Sequence, residues 1–112
     1  MALALPLNTF ISRPFTLSTT EQEVYVTPEG ISAIVLSAQA SNTTALPVTI
    51  SFSFIKNNVS FFLIKEFTIL PNDAADLING KLIVEQGCSL EVIVSAVDSV
   101  DLVLSILETS NE

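Results

Sequence analysis

The residues of this chain that could do chemistry are carboxylates in the turns of its C-terminal third. They are Asp73, Asp76, Glu85, Asp98 and Asp101. Two of them could act as the acid and the base of a hydrolase, and several together could hold a calcium ion. A sugar hydrolase also needs an aromatic-lined cleft, however, and the chain has one tyrosine and no tryptophan. No D-x-D-x-D-G calcium loop is present either, so we expect these carboxylates to be solvated turn residues.

The other common site chemistries lack their residues. There is no histidine, which excludes a Ser-His-Asp triad, a Cys-His dyad and any metal site built on histidine. The single cysteine, Cys88, cannot form an internal disulfide or a thiolate zinc site, and an intersubunit disulfide is the less favoured alternative to a simple free thiol. We therefore expect no catalytic residue, no metal and no cofactor, and a protein that is not an enzyme.

Composition favours contact with other proteins. With 49% hydrophobic and 14% charged residues, a chain of 112 residues is apolar for a small monomer, so part of its surface should meet other subunits. The net charge of −8 opposes binding to nucleic acid. The apolar runs are too short for a membrane-spanning helix, and the N-terminus lacks the basic region of a secretory signal.

The first 20 residues have neither a helical nor a strictly alternating pattern and are expected to form an extended N-terminal arm. The arm could pack on its own domain as an edge strand, or it could reach a neighbouring subunit. If it reaches a neighbour, its large apolar side chains are the predicted interface, namely Leu3, Leu5, Leu7, Phe10, Ile11 and Phe15.

Residues 21–112 carry the pattern of a single all-β domain. About seven or eight short apolar segments are separated by turn signals every eight to twelve residues, which is typical of an antiparallel β-sandwich or a small jelly roll. Residues 47–55 alternate, so that one face is expected in the core and Thr49, Ser51 and Ser53 in water. Residues 71–78 could form one helical turn or an extended excursion.

Residues 59–67 are apolar on both faces, which predicts a strand covered on both sides, although Phe61 and Phe62 could instead be an exposed interface pair. The predicted core residues are the inward members of these segments. They are Val35, Val48, Ile50, Phe52, Phe54, Phe61, Leu63, Leu82, Val84, Leu90, Val92, Val94, Leu102, Leu104 and Ile106.

The order of strands and turns over residues 60–108 supplies a family resemblance. A short polar segment is followed by Asn79-Gly80-Lys81-Leu82, by Glu85-Gln86-Gly87, by Ser95-Ala96 and by the apolar run of residues 101–108. This succession resembles small virion structural proteins of tailed bacteriophages, including cyanophages.

The resemblance implies an assembly role within a virion made in the host cytoplasm. The expected function is that of a capsid decoration, or cement, protein on the capsid surface, which forms homo-oligomers and contacts the major capsid protein or another virion protein. The neck, collar, baseplate and tail-fibre attachment stay open as alternative locations. A carbohydrate- or receptor-binding module is the alternative from another class, and the scarcity of tyrosine and tryptophan weakens it.

Overall fold

The structure is a computed structural model that describes residues 8–18 and 20–111. In these ranges every regular element is a β-strand, and no helix is long and apolar enough to cross a membrane. The strands are β1 (Asn8–Thr16), β2 (Glu21–Val26), β3 (Ile31–Asn42), β4 (Val48–Lys56), β5 (Val59–Ile69), β6 (Ala74–Asp76), β7 (Leu82–Val84), β8 (Ser89–Val94) and β9 (Val100–Ser110).

The chain is organised as one long hairpin whose apex is the turn at Asn57 and Asn58. β4 pairs with β5 across that turn, and outward from it β3 pairs with β6 and β7, β2 with β8, and β1 with β9, all antiparallel. Both apex asparagines have positive φ, 54° and 63°, as the tight two-residue turn of a hairpin requires.

Rolling this hairpin gives two sheets. In sheet A the order is β1, β9, β3 and then β6, with β7 also paired to β3; in sheet B the order is β2, β8, β4, β5. Strands next to each other in the sequence therefore mostly lie in different sheets, which is the arrangement of a jelly roll. The prediction of an all-β antiparallel sandwich or small jelly roll is confirmed.

The core lies between the sheets, where the strand alternation points its large aliphatic side chains and Phe52. Most of the predicted core is buried there: Val35, Val48, Ile50, Phe52, Val84, Leu90, Val92, Val94, Leu102, Leu104 and Ile106. Phe54 and Leu82 are partly buried and pack against this cluster.

Two predicted core residues, Phe61 and Leu63, are in fact exposed, at 54% and 39% of their surface. The prediction that residues 59–67 are covered on both faces was therefore wrong. The reason is the position of β5, which is the last strand of sheet B and, among the described residues, has a neighbouring strand on one side only.

The expected wet face of residues 47–55 needs the opposite correction, because Ser51 and Ser53 are buried. β4 lies between β8 and β5, and β5 is bulged where it passes Ser51. The Glu66 amide donates a hydrogen bond of 2.8 Å to Ser51 Oγ at that point. In residues 71–78 the structure shows the short strand β6, so the extended alternative is the observed one.

Residues 8–16 of the predicted arm form β1, which pairs with β9 over nine consecutive residue pairs. In the isolated chain this part of the arm therefore lies as an edge strand on its own domain. Leu17, which follows β1, is fully buried. Leu3, Leu5 and Leu7 lie outside the described residues, and the arm and domain limits of 1–20 and 21–112 stay a prediction.

Candidate interaction surfaces

The first candidate surface is the outer face of sheet A. Because side chains alternate along a strand, Phe10 and Leu107 point outward while their neighbours Ile11 and Ile106 point to the core. Leu107 is also the partner of Ile34.

Ile34 in turn is the partner of Ile83 on β7. Phe10, Leu107, Ile34 and Ile83 thus form one apolar line across four strands, here called the outer row. Its end members are largely exposed, Phe10 at 74% and Ile83 at 63%.

On β1, β9 and β3 the outward positions that flank the outer row are uncharged. The neighbouring outward positions are Ser12 opposite Ser105 and Ser32 opposite Thr109. Protein interfaces are distinguished by a depletion of charge at their centre more than by their total apolar area. An apolar line among serines and threonines has that character, in a chain whose net charge is −8.

The second candidate surface is the edge strand β5. Six large apolar side chains of β5 and the residue after it are at least 39% exposed. These six, here called the β5 strip, are Val59, Phe61, Phe62, Leu63, Phe67 and Leu70. In the described part of the chain no strand pairs with the outer side of β5, so its peptide groups there are available to another strand.

The two halves of β5 differ in regularity. Residues 59–62 pair with β4 in unbroken register, whereas the register shifts around Leu63 and again at Lys65 and Glu66. Glu66 has a positive φ of 51°, and Lys65 Nζ lies 5.2 Å from the centre of the Phe62 ring. Bulges and charges discourage strand addition, so the half near the apex is the more open template.

A groove of about 220 Å³ lies beside β5, between the edges of the two sheets. Leu63, Leu77, Ile78 and Leu82 supply its apolar lining, and Asn79 and Lys81 supply its rim. The groove extends the apolar surface of the β5 strip toward sheet A.

The opposite edge of the sandwich is polar. The Tyr25 hydroxyl donates a hydrogen bond of 2.5 Å to Glu108 Oε2, and Arg13 and Glu23 line the same groove. Burial raises the pKa of Tyr25 well above its ordinary value, and the hydrogen bond and charge of Glu108 add to that increase. Tyr25 is therefore a structural tyrosine and gives no exposed aromatic platform.

The outer face of sheet B is acidic where β2 pairs with β8. Glu23 lies opposite Glu91, and Glu21 is one pair further along the same face. Partial burial raises the pKa of Glu91, and the charges of Glu21 and Glu23 raise it further. Sheet B therefore has an acidic outer face at this edge, whereas the positions that flank the outer row on β1, β9 and β3 are uncharged.

Most of the turn carboxylates in the C-terminal third have local partners within the fold. The described residues contain no group of three His, Cys, Asp or Glu side chains that could hold a metal ion. Four of the five carboxylates have a partner that fixes a turn or a strand end: Asp73 accepts from the Ala74 amide, Asp76 from the Ala38 amide, Asp101 from the Thr16 hydroxyl, and Glu85 pairs with Lys56.

The predicted interface residues separate into groups. Phe10 is exposed in the outer row, whereas Ile11 and Phe15 pack, partly buried, against the core of their own molecule. Sequence reasoning missed Ile34, Ile83 and Leu107, because an apolar residue on the outer face of a strand gives the same pattern as a buried one. The double apolar character of residues 59–67 was the available signal for the β5 strip.

Comparisons with known proteins support the fold. No family model matches the chain, and no curated protein is significantly similar to it in sequence. Among solved structures, a chain of the pili that form Bacillus endospore appendages matches with a TM-score of 0.56 at 12% identity, over 100% of both chains.

Two virus structures are similar to a comparable degree. A chain in the acid-stable capsid structure of Helicobacter pylori bacteriophage KHP30 matches with a TM-score of 0.53 at 12% identity, over 96% of this chain and 90% of that one. A chain of the IBDV T13 viral particle matches with a TM-score of 0.54 at 6% identity, over 94% of this chain and 31% of that one. At these identities the likeness is one of fold.

Proposed function

We propose that this chain is a structural protein of a tailed-bacteriophage virion, and that it serves there as a capsid decoration protein. The observation that carries the proposal is the presence of two separate apolar surfaces, the outer row and the β5 strip, on one small jelly roll. A decoration protein must contact at least two neighbours, since it bridges subunits. Its fold likeness to a chain of comparable length in a phage capsid structure supports the assignment.

The physical logic is that of many weak contacts. A sheet face of this size buries a modest area against a coat subunit, which is typical of a weak interface. Repetition over a capsid lattice, with each copy also held by its neighbours, turns such contacts into firm attachment. A rigid sandwich suits that task because little order has to be gained on binding.

Sedimentation with empty capsids of the phage that encodes the chain tests this proposal. The double variant Phe10→Ser/Ile83→Ser removes the exposed ends of the outer row and should reduce the amount bound at least several-fold. Leu46→Ser is the matched control, because Leu46 is equally exposed, at 73%, but lies in the loop between β3 and β4. Equal binding by all three proteins would contradict a docking role for the outer row.

Cryo-electron microscopy of the virion gives the location. Density of this size in many symmetric copies on the capsid lattice is the expected result. A few copies at the neck, collar, baseplate or fibre attachment would move the protein to one of those structures. Absence from the virion, together with retention on glycans or host cells, would favour a receptor-binding module.

A filament subunit is the second candidate function, favoured by the full-length fold likeness to a chain of the Bacillus endospore appendages. Those pili are disulfide-linked. The one cysteine of this chain, Cys88, is buried at 3% exposure, so a disulfide to another subunit would require local opening of the fold. Filaments of purified protein under negative stain would support this alternative.

A further inference from the structure

We propose that residues 1–7 of one copy bind as an added β-strand along the apex half of β5, residues 59–63, in a second copy. The inference deepens the proposed function and rests on its premise that copies of the chain assemble. It specifies the two segments that form the contact between copies. The outer row, as the proposed capsid-binding surface, does not provide that contact.

The acceptor is exposed, apolar and regular. Val59, Phe61 and Phe62 are each about half exposed, and Leu63 opens into the apolar groove beside Leu77, Ile78 and Leu82. Residues 59–62 keep unbroken register with β4, so their outer peptide groups are spaced for another strand. The charged residues of β5, Lys65 and Glu66, lie beyond this half.

The donor has the matching pattern. Residues 1–7, which lie outside the described residues, read Met-Ala-Leu-Ala-Leu-Pro-Leu and carry no charged side chain. In a strand, the alternate leucines Leu3, Leu5 and Leu7 would all point to one face. Pro6 lacks an amide hydrogen, which an outermost strand tolerates.

The start of β1, to which the donor is joined, lies at the same end of the molecule as the acceptor but on the opposite edge. Asn8 lies opposite Thr109 in the strand register of β1 and β9. The apex residue Lys56 forms an ion pair with Glu85, which directly follows β7. β3 connects the two sites, because Ala33 is the partner of both Glu108 and Val84. β1, however, is the first strand of sheet A, and β5 is the last strand of sheet B.

This placement favours a second copy over the same molecule. To reach its own β5, the segment would have to cross about three strand spacings and the gap between the two sheets, a path of roughly 17 Å that uses about five residues. To reach a neighbour placed beside β1, it crosses about one spacing and keeps most of its residues for pairing. The contact is then head to tail, and repeated head-to-tail contacts close into rings or extend as filaments.

Photo-cross-linking between isotope-labelled and unlabelled copies tests the inference on the full chain. A photoreactive Leu5→p-benzoylphenylalanine protein is mixed in equal amounts as 15N-labelled and unlabelled material, irradiated and digested with trypsin. Cleavage at Lys56 and Lys65 isolates residues 57–65 as one peptide. The expected product joins this peptide to the N-terminal peptide, with light-to-heavy links as frequent as links within one isotope.

Links found only within one isotope, or links to a different peptide, would overturn the inference. A monomer that gives no intermolecular link on the capsid or in solution would do so as well. Leu46→p-benzoylphenylalanine is the control and should not label residues 57–65.

A second experiment separates this contact from the capsid-binding role. Phe61→Ser/Leu63→Ser should lower the mass of the oligomer in light scattering, while single copies still bind capsids through the outer row. An unchanged oligomer mass overturns the strand contact and leaves the proposed function intact. Unchanged capsid binding by the outer-row variant Phe10→Ser/Ile83→Ser, with cross-links preserved, contradicts the docking role of the outer row and leaves the strand contact intact.

Discussion

At the residue scale, Asn42 holds two loops together from a buried position. Its side-chain amide donates to the carbonyls of Leu46 and Ile69, at 2.8 and 3.0 Å, and its oxygen accepts from the Thr44 amide and hydroxyl. Because Asn42 is only 2% exposed, water cannot easily replace these partners. Asn42→Ala should therefore lower the free energy of unfolding by about 2 to 4 kcal/mol, as measured by urea denaturation.

The exposed Asn79, in the turn after Leu77, is the matched control for that measurement. Asn79→Ala should change the unfolding free energy by less than about 0.5 kcal/mol, as is usual at the surface. If the two variants have the same stability, the hydrogen bonds of Asn42 contribute little and the loop is held by packing alone.

Tyr25 makes a second residue-scale prediction, this time in pH. The pKa of Tyr25 is raised in the folded state, chiefly by burial. The contribution of Tyr25 to folding stability is therefore fully present below the unfolded value of about 10 and is lost as the pH rises above that value. The chain has one tyrosine and no tryptophan, so phenolate absorbance reports this group alone. Folded protein should form phenolate only well above pH 10, and urea-unfolded protein near that value.

Glu108→Gln tests the causes of the Tyr25 shift separately. The variant keeps a hydrogen-bond acceptor but removes the negative charge, so the pKa of Tyr25 should fall part of the way toward its ordinary value. Burial, the largest cause, remains. A titration identical to that of the parent protein would show that the charge of Glu108 has no part in the shift.

At the element scale, the central strand β4 and the edge strand β5 should respond differently to the same change. Phe52 on β4 is fully buried, whereas Phe61 on β5 is 54% exposed. Phe52→Ala should cost about 3 to 5 kcal/mol of stability through lost burial and a cavity, and Phe61→Ala less than about 1.5 kcal/mol. Thermal and urea unfolding of the two variants measure these losses. A larger loss for Phe61→Ala than for Phe52→Ala would mean that β5 is covered in the isolated chain.

The contrast between these two phenylalanines also marks how far the sequence could predict the fold. The alternation of Val48, Ile50 and Phe52 fixed the inward face of β4, and the turn signals gave the number and spacing of strands. Neither pattern contains the order of strands in a sheet. An exposed apolar edge strand and a central strand covered on both faces have the same local pattern, so the pattern of residues 59–67 predicted the wrong one of the two.

The candidate surfaces were predictable only in part for the same reason. Phe10 was identified because it lies in a segment with no strand partner evident from local pattern. Ile34, Leu107 and Ile83 become one surface only through the registers of β3 with β9 and β7, which join residues far apart in the sequence. The local sequence of each strand carries no sign of this alignment.

At the scale of the whole molecule, net charge and apolar surface act against each other in assembly. Each copy carries a charge of −8, and the molecule is 26 by 24 Å across its shorter axes. At an ionic strength of about 0.01 M the screening length is about 30 Å, so neighbouring copies repel over their full width. At about 0.15 M the screening length falls to about 8 Å, while burial of the β5 strip is unaffected.

Self-association should therefore strengthen as salt is added, and sedimentation velocity over this range of ionic strength measures the effect. The variant Glu29→Gln/Asp98→Asn removes two exposed charges away from both candidate surfaces and should associate more readily at low salt, with a smaller dependence on salt. Association that weakens with salt in both proteins would mean that attractive ion pairs hold the copies together. The contact between copies would then lie outside the outer row and residues 59–63, because neither carries a charged side chain that salt could screen.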